Sequence, residues 1–319
     1  MLRVTFLGTG GAVPTTGRNT SALFVQREGD RLLFDCGEGT QRQMMRFGTG
    51  FTVSHLFVTH THGDHVLGIP GLLQTWDFTD REAPVAIHAP NGTRKTIRRL
   101  TRATGAPPEF PVRINEVGPG DVALSRDDYE VRTFEVDHGA TAVGYALVEA
   151  DRKGRFDRER AEELGVPPGP MFSALHDDRA VELDDGRIVE PPIELEDGTV
   201  VRREDVVGPS RPGRRLVYTG DTRPSTATVQ AAANADLLVH DATFTEDRRE
   251  RASETGHATA AQAAEIGNRA GAERLALTHV SSRYAGEAHR LEDEAREMFE
   301  GEAFLPDDGD RREIPYPDE

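Results

Sequence analysis

Short runs of apolar residues, separated by glycine and proline, fill the first half of the chain. These runs predict β-strands at residues 2–7, 21–26, 31–35, 55–59, 85–88, 129–136 and 142–149. Apolar residues at helical spacing predict helices at 39–47, 69–78 and 93–104. Strands and helices that alternate in this way predict a layered α/β architecture.

The pattern changes between residues 151 and 212, where glycine, proline and charged residues replace regular periodicity. Beyond this segment, strands are predicted at 215–219, 237–240 and 275–278, and helices at 258–270 and 287–299. We interpret 151–212 as an insertion, a protruding arm that interrupts a single domain spanning 1–319. The alternative is a disordered acidic loop.

Composition sets limits on the class of protein. The 319 residues can bury a large core, and no apolar run approaches the roughly 18 residues of a membrane span. The N-terminus also lacks the longer apolar region of a signal peptide. Cys36 is the single cysteine, so an intrachain disulfide is excluded. We therefore expect a reducing cytoplasmic location without membrane association.

The charge balance is strongly acidic. The chain has 38 basic and 55 acidic residues, a net charge of −17, and lysine only at Lys95 and Lys153. Such a surface is typical of proteins from salt-loving organisms, although an ordinary acidic cytosolic protein is the simpler alternative. High net negative charge favours solubility and, taken alone, argues against binding to nucleic acid.

Three histidines and an aspartate lie close together directly after the predicted strand at 55–59. They form the sequence His-x-His-x-Asp-His at residues 60–65. A single histidine at a strand end is usually a structural residue. Imidazole nitrogens and carboxylate oxygens at this spacing are instead the ligands that suit Zn²⁺ and similar ions. The motif predicts a site for two metals.

Three further candidate ligands also follow predicted strands, where functional loops collect. They complete a set in which His60, His62 and His138 hold one metal, Asp64, His65 and His279 hold the other, and Asp221 bridges both. Two close metals activate water and stabilise an in-line displacement. The predicted reaction is hydrolysis, most naturally of a phosphodiester, with Asp64 able to accept a proton from the water.

The glycine-rich loop at residues 8–11 could belong to a cofactor site and not to the metal site. It could bind a dinucleotide, but the third glycine of Gly-x-Gly-x-x-Gly is missing, and Pro14 and Gly17 replace the helix that should follow. We expect a turn that brings backbone close to the metal pocket.

These motifs together resemble the ribonuclease Z family of tRNA 3′-processing endonucleases, within the metallo-β-lactamase superfamily. The resemblance extends over nearly the whole chain, through segments 7–11, 14–19, 34–41, 60–65, 218–223, 240–243, 256–259 and 279–284. Two positions depart from the family pattern: Thr16 replaces the usual lysine of the Pro-x-Lys-x-Arg-Asn element, and Asp241 replaces the glutamate of His-Glu-Ala-Thr.

The resemblance implies a fold, an activity and several residue roles. The fold is a four-layer αββα sandwich with a flexible arm, and the enzyme is a zinc-dependent endoribonuclease that removes the 3′ trailer of precursor tRNA and leaves a 3′-hydroxyl. His257, oriented by Asp241, would protonate the leaving oxygen; structurally, His257 could instead simply precede the helix at 258–270. Two Zn²⁺ per subunit are implied, with Mn²⁺ as an alternative, and a homodimer. The implied substrate contacts are Arg18, Asn19, Gly169, Pro170 and Arg283.

Two local clusters of basic residues weaken the argument that the negative net charge excludes RNA binding. One lies on the predicted helix at 93–104 and one at 152–160, although either could be a solvated face balanced by nearby acids. Two rival functions remain: another metallohydrolase of the same fold, acting on a thioester, sulfate ester or cyclic nucleotide, and a non-catalytic RNA-binding protein. A protruding arm argues against the first rival, and a complete ligand set argues against the second.

Overall fold

A computed structural model describes residues 1–317 of the chain. In chain order, the β-strands are β1 (Leu2–Gly8), β2 (Gly10–Gly11), β3 (Ala22–Arg27), β4 (Asp30–Phe34), β5 (His55–Phe57), β6 (Val85–Pro90), β7 (Val112–Val117), β8 (Val122–Ser125), β9 (Tyr129–Glu135), β10 (Val143–Glu149), β11 (Val181–Glu182), β12 (Ile188–Val189), β13 (Ile193–Glu194), β14 (Val200–Val201), β15 (Arg215–Tyr218), β16 (Leu237–Asp241), β17 (Arg274–Thr278), β18 (Val280–Ser281), β19 (Glu302–Phe304) and β20 (Arg311–Glu313).

The α-helices lie mostly on the outer faces of the sheets. They are α1 (Thr40–Arg46), α2 (Gly63–Val66), α3 (Ile69–Phe78), α4 (Arg94–Leu100), α5 (Arg158–Glu163), α6 (Pro170–Asp177), α7 (Thr226–Ala231), α8 (Arg249–Thr255), α9 (Ala260–Ala270) and α10 (His289–Met298).

Two seven-stranded sheets form the body of the protein. The first has the strand order β20-β1-β3-β4-β5-β6-β7 and the second has the order β19-β17-β16-β15-β10-β9-β8. Aromatic side chains join their inner faces: the ring of Phe34 in the first sheet lies 5.9 Å from Tyr145 and 6.1 Å from Tyr218 in the second. The buried layer between the sheets is therefore continuous.

Helices cover the outer face of each sheet. Trp76 of α3 and Ile97 of α4 belong to the apolar cluster on the first sheet. Small alanine side chains of α9 let that helix pack closely on the second sheet, and Phe299 after α10 closes the same cluster. The order helix, sheet, sheet, helix confirms the predicted four-layer αββα fold.

Parallel strands direct several loops to one edge of each sheet. In the first sheet β4, β5 and β6 run parallel. In the second sheet β15, β16 and β17 do the same. The carboxyl ends of parallel neighbours lie at a common edge, where α/β proteins place their ligand-binding loops.

The chain forms two compact units, Met1–Glu149 with Arg214–Pro317, and Ala150–Gly213. The second unit contains α5, α6 and the hairpins β11–β12 and β13–β14. It has a small apolar cluster of its own, which includes Leu175, Ile193 and Val201. The segment that lacked clear periodicity is therefore ordered around short elements.

Some predicted elements need correction. Helix α4 ends at Leu100, and the predicted remainder of that helix, to residue 104, forms a turn before the segment Pro107–Pro108. Strands β7 and β8 were not predicted, because half-exposed positions interrupt the apolar alternation on these edge strands. Among residues 1–317, no helix is long and apolar enough to span a membrane.

Candidate metal centre and active site

The seven predicted metal ligands come together at the carboxyl edges of the two sheets. His60 follows β5, and Asp221 and His279 follow β15 and β17. The remaining ligands lie on the loop and short helix α2 after β5, and on the loop after β9, namely His62, Asp64, His65 and His138. Residues distant in sequence therefore share one site because both sheets direct their loops to it.

Three imidazoles face one another in the first ligand group. His62 Nδ1 lies 3.0 Å from His60 Nε2 and 3.3 Å from His138 Nε2. Asp221 Oδ2 approaches the same group, 3.6 Å from His60 Nε2 and 3.9 Å from His138 Nε2. Ligand atoms from these four residues, one from each, all lie within 4.8 Å of one another.

The other oxygen of Asp221 faces the second group. Its Oδ1 lies 3.2 Å from His65 Nε2 and 3.3 Å from His279 Nε2. Asp64 Oδ2 closes the group, 3.1 Å from His279 Nε2 and 3.6 Å from His65 Nε2. Asp221 thus presents one oxygen to each group, as a bridging carboxylate should.

Asp35 organises the site from beneath, a role that sequence reasoning missed. Its carboxylate accepts hydrogen bonds from Thr59 N at 2.8 Å, Thr59 Oγ1 at 2.8 Å, His65 Nδ1 at 2.7 Å and Tyr218 OH at 3.0 Å. Because the Thr59 hydroxyl donates to Asp35, it accepts from His60 Nδ1, 3.1 Å away. Asp35 follows a buried strand at the same sheet edge as the metal motif, which was the signal available in the sequence.

Asp241 connects the second group to His257. Its Oδ2 accepts from His257 Nδ1 at 2.8 Å and from Thr222 N at 3.1 Å. Its Oδ1 accepts from Thr243 Oγ1 at 2.7 Å, so that hydroxyl in turn accepts from His279 Nδ1 at 2.9 Å. The aspartate, although shorter than glutamate, reaches both histidines, directly or through Thr243.

Two glycines let backbone approach the imidazoles. A Cβ atom at Gly11 would lie 2.5 Å from the ring of His279. At Gly256, with φ +83°, a Cβ would lie 2.9 Å from His138 Nδ1, and the Gly256 carbonyl accepts a hydrogen bond from that nitrogen at 2.8 Å. The glycine-rich loop at 8–11 therefore approaches the site closely, as predicted for a turn beside the pocket.

The hydrogen bonds decide which ring nitrogens can bind a cation. His60, His65, His138 and His279 each donate through Nδ1, which leaves Nε2 directed into the site. His62 reverses this arrangement and turns Nδ1 towards its neighbours.

These donors fit bound metal. Lone pairs this close repel one another unless a cation or proton lies between them. His65 Nε2 and Asp221 Oδ1 are buried without a hydrogen-bond partner in the site. Divalent metals with imidazole and carboxylate ligands satisfy both conditions.

Burial and neighbouring charges shift the pKa values of the histidines in opposite directions. Burial lowers the pKa of His60, and the neighbouring charge of His65 lowers it further. Burial alone would lower the pKa of His65, but the charges of Asp221 and Asp35 raise it well above its usual range. Burial likewise opposes the charged form of His257, yet the charge of Asp241 raises the pKa of His257 to about 9.

The predicted substrate contacts lie outside this cluster. The Arg18 guanidinium donates to Thr9 Oγ1 and to the Pro306 carbonyl, both at 2.6 Å, and Asn19 Nδ2 donates to the Glu38 carbonyl at 2.8 Å. These two side chains brace the loop that carries them.

The other predicted contacts are less engaged. Arg283 is exposed and lies 5.2 Å over the Phe244 ring. Gly169 and Pro170 begin helix α6 in the unit Ala150–Gly213.

Comparison with known proteins identifies the family. A model described as the metallo-beta-lactamase superfamily matches residues 15–261. Proteins named Ribonuclease Z from Natronomonas pharaonis and Haloarcula marismortui are 62% and 60% identical, with at least 98% of either chain covered in each comparison. The one from Myxococcus xanthus is 48% identical over 100% of this chain and 99% of its own.

A solved structure agrees with the sequence relatives. The crystal structure of the short form of human tRNase Z superposes with a TM-score of 0.68 at 26% identity, covering 98% of this chain and 99% of that chain. The metallo-β-lactamase fold implies binding of divalent metal, which the donor set described above fits. The chain belongs to the ribonuclease Z family of tRNA 3′-processing endoribonucleases, within the metallo-β-lactamase superfamily.

Proposed function

We propose that this chain removes the 3′ trailer of precursor tRNA by hydrolysing one phosphodiester bond, and leaves a 3′-hydroxyl on the tRNA. The geometry of the site carries the proposal: Asp221 presents one carboxylate oxygen to each of two ligand groups, and the His257–Asp241 pair lies directly beside them. A hydrolase needs an activated water and a protonated leaving group. The ligand groups can hold metals that activate the water, and the His257–Asp241 pair can protonate the leaving group.

The metals we propose are two Zn²⁺ ions per chain, with Mn²⁺ as the alternative. His60, His62 and His138 would hold one ion, Asp64, His65 and His279 the other, with Asp221 shared. Ions bound there supply acidified water and neutralise charge on the scissile phosphate. Imidazole-rich donor sets favour zinc over magnesium.

Asp64 is the proposed proton acceptor. Its Oδ2 accepts a hydrogen bond from Ala12 N at 2.7 Å, which fixes the carboxylate against the glycine-rich loop. Burial would raise the pKa of Asp64, but the hydrogen bond with His279 and the charge of His65 outweigh burial and lower it. We propose that Asp64 stays ionised, orients the attacking water and accepts its proton.

His257 is the proposed acid. Its Nδ1 is occupied by Asp241, so its Nε2 is the atom left to carry a proton to the leaving 3′-oxygen of the tRNA. The ring stacks on His279 at 5.0 Å between centroids, which places it at the border of the second ligand group. Because the pKa of His257 is raised to about 9, the acid form persists at neutral pH.

We assign substrate gripping to the unit Ala150–Gly213, with Gly169 and Pro170 at its contact point. Gly169 adopts φ +131° immediately before α6, an exposed turn that brings backbone rather than a side chain to the surface. Arg283, Arg18 and Asn19 are the proposed contacts near the metal centre, of which Arg283 is the most exposed.

We also propose a homodimeric enzyme located in the cytoplasm. The family resemblance supports the dimer, and the buried, unpaired Cys36 suits a reducing compartment. Light scattering on the purified protein tests the dimer: a mass near 70 kDa, twice the 35.0 kDa chain, is expected. A mass near that of one chain contradicts it.

Cleavage of a labelled precursor tRNA with a 3′ trailer tests the main proposal. With zinc or manganese present, the product should end at the 3′ side of the acceptor stem and carry a 3′-hydroxyl. An Asp64→Ala variant should bind the RNA without cutting it. Absence of wild-type cleavage at every salt concentration, alongside hydrolysis of a thioester or cyclic nucleotide, would favour the rival hydrolase instead.

A further inference from the structure

Five cations project from helix α4 and the turn that follows it. All five side chains are exposed, and one of them, Arg94, pairs with a carboxylate, Glu116, at 3.0 Å. Within residues 1–317 the other four have no carboxylate close enough for an ion pair: Lys95, Arg98, Arg99 and Arg102. We call these five residues the basic helix patch.

The four cations of the patch that are unpaired within residues 1–317 lie together on α4 and the turn after it, in a strongly acidic chain. Acidic residues outnumber basic ones by 55 to 38, and exposed arginines elsewhere in the body, such as Arg249 and Arg296, contact carboxylates. Apart from the Arg94–Glu116 pair, the patch forms no ion pair with an acid of residues 1–317, a pattern that fits an external anion.

A surface groove lies along the same helix. It has a volume of about 480 Å³, and three arginines of the patch line one side. Thr101 and Phe110 line it further, and Asp and Glu are absent from its lining. The nearby Asp77 carboxylate is engaged elsewhere, since it accepts the backbone N–H of Glu109 at 2.7 Å.

The helix geometry spaces the charges regularly. Arg94 and Arg98 are four residues apart, so they lie on one helix face about 6 Å apart along the axis. Arg102, in the turn after the helix, lines the same groove. Ile97 is fully buried in the apolar cluster on the first sheet and fixes the helix to the body. A rigid row of guanidinium groups matches a row of phosphates, which arginine binds through paired hydrogen bonds.

The patch also begins at the edge that carries the metal centre. Helix α4 follows β6, and the metal-binding loop follows β5, its parallel neighbour. An RNA with its scissile phosphate at the metals can therefore extend along this edge.

We infer that the basic helix patch binds the phosphate backbone of the tRNA substrate, away from the scissile bond. This inference rests on the proposed function, because it takes the RNA at the metal centre to be the polyanion bound here. Charge complementarity favours RNA: three arginines offer hydrogen-bond donors along one side of the groove, and Asp and Glu are absent from its lining.

The test compares two variants of the holoenzyme with the same loss of charge. The patch variant is R98Q/R99Q/R102Q. The matched control is R269Q/R290Q/R296Q, on the outer helices α9 and α10. Binding of mature tRNA, which carries no trailer to cut, is measured by fluorescence anisotropy from 0.5 to 2 M KCl.

Each lost phosphate contact should lower the slope of log affinity against log salt by about 0.9. Three lost contacts lower it by about 2.7, so the affinity deficit of the patch variant should shrink roughly 40-fold over that fourfold salt range. The control variant should keep the wild-type slope. If the patch variant proves less stable in thermal unfolding, Arg102→Gln alone, which lies beyond the helix end, should still lower the slope by about 0.9.

An unchanged slope in the patch variants, or an equal change in the control, overturns the inference. Cleavage is scored separately on precursor tRNA. Failure of the wild type to cut refutes the proposed function, whereas the binding slopes still decide whether the patch contacts RNA.

Discussion

Replacing Asp241 with asparagine tests the assignment of His257 most directly. Asp241 is fully buried, and its charge together with its hydrogen bond holds His257 in the protonated form. Asp241→Asn keeps the size of the side chain but removes that charge. Burial lowers the pKa of His257, and the charge of Asp241 is the main effect that raises it. The variant keeps the burial and loses that charge.

The magnitude follows from the pKa itself. Without Asp241 the pKa of His257 should fall from about 9 to its ordinary 6.5 or below. This fall destabilises the charged imidazole relative to the neutral one by about 3 kcal/mol. The acid form exists below the pKa and disappears as pH rises through it. At pH 8 the protonated fraction should therefore drop roughly 30-fold, whereas at pH 6 it should change by less than about twofold.

Single-turnover cleavage of precursor tRNA between pH 5.5 and 9.5 measures this effect. The alkaline limb of the rate should move from near pH 9 to near pH 6.5, and His257→Ala should abolish the limb with a loss of about 10²–10⁴ in rate. Asp241→Glu retains the carboxylate and serves as the matched control, with its limb near that of the wild type.

A second effect of Asp241→Asn must be separated from the first. The amide cannot accept at both ends, so Thr222 N or Thr243 N loses its partner, at a cost of about 1–3 kcal/mol in stability. Thermal unfolding and zinc content measure that cost independently of pH. An alkaline limb unchanged by Asp241→Asn in a folded, zinc-loaded protein refutes the reasoning.

Three further predictions concern the metals and the arm. Gly11→Ala should push a Cβ against the His279 ring and weaken zinc binding by about 10–100-fold, the range seen when a ligand loses its support; full zinc occupancy at limiting metal would contradict it. Replacing residues 150–213 with a short glycine–serine linker should leave zinc content intact but lower kcat/KM for precursor tRNA at least tenfold, and an unchanged value would remove the arm from recognition. Because Asp221 keeps the pKa of His65 raised in the metal-free protein, zinc binding should release protons, measured as a dependence of calorimetric enthalpy on the buffer; identical enthalpies in all buffers would refute this.

The strands and the ligand set could be predicted because their signals are local. Helix α3 begins and ends where its periodicity places it, and β1 and β10 differ from prediction by one residue at an end. The motif at 60–65 lies in one short loop, and every other ligand directly follows an apolar strand. A histidine or aspartate after a buried strand, repeated in both sheets, is enough information to assemble the cluster.

Other features depend on contacts that no local pattern contains. Asp35 holds His65 and Tyr218, residues 30 and 183 positions away in sequence, so its role emerges only when the two sheets pack. The sequence resemblance implies that Arg18 contacts the substrate, but it does not reveal that its guanidinium donates a hydrogen bond to the distant Pro306 carbonyl. The unit Ala150–Gly213 was hard to predict because its helices are short and its apolar cluster is small.

The basic helix patch also changes how the net charge should be understood. A charge of −17 argues against RNA binding only if repulsion acts over the whole surface. The relatives at about 60% identity come from halophilic archaea, and at 1 M salt the Debye length is about 3 Å. Under those conditions distant carboxylates are screened, whereas an arginine in contact with a phosphate still forms its hydrogen bonds. Recognition then depends on which few residues touch the RNA, and four of the five cations of the basic helix patch form no ion pair with an acid of residues 1–317.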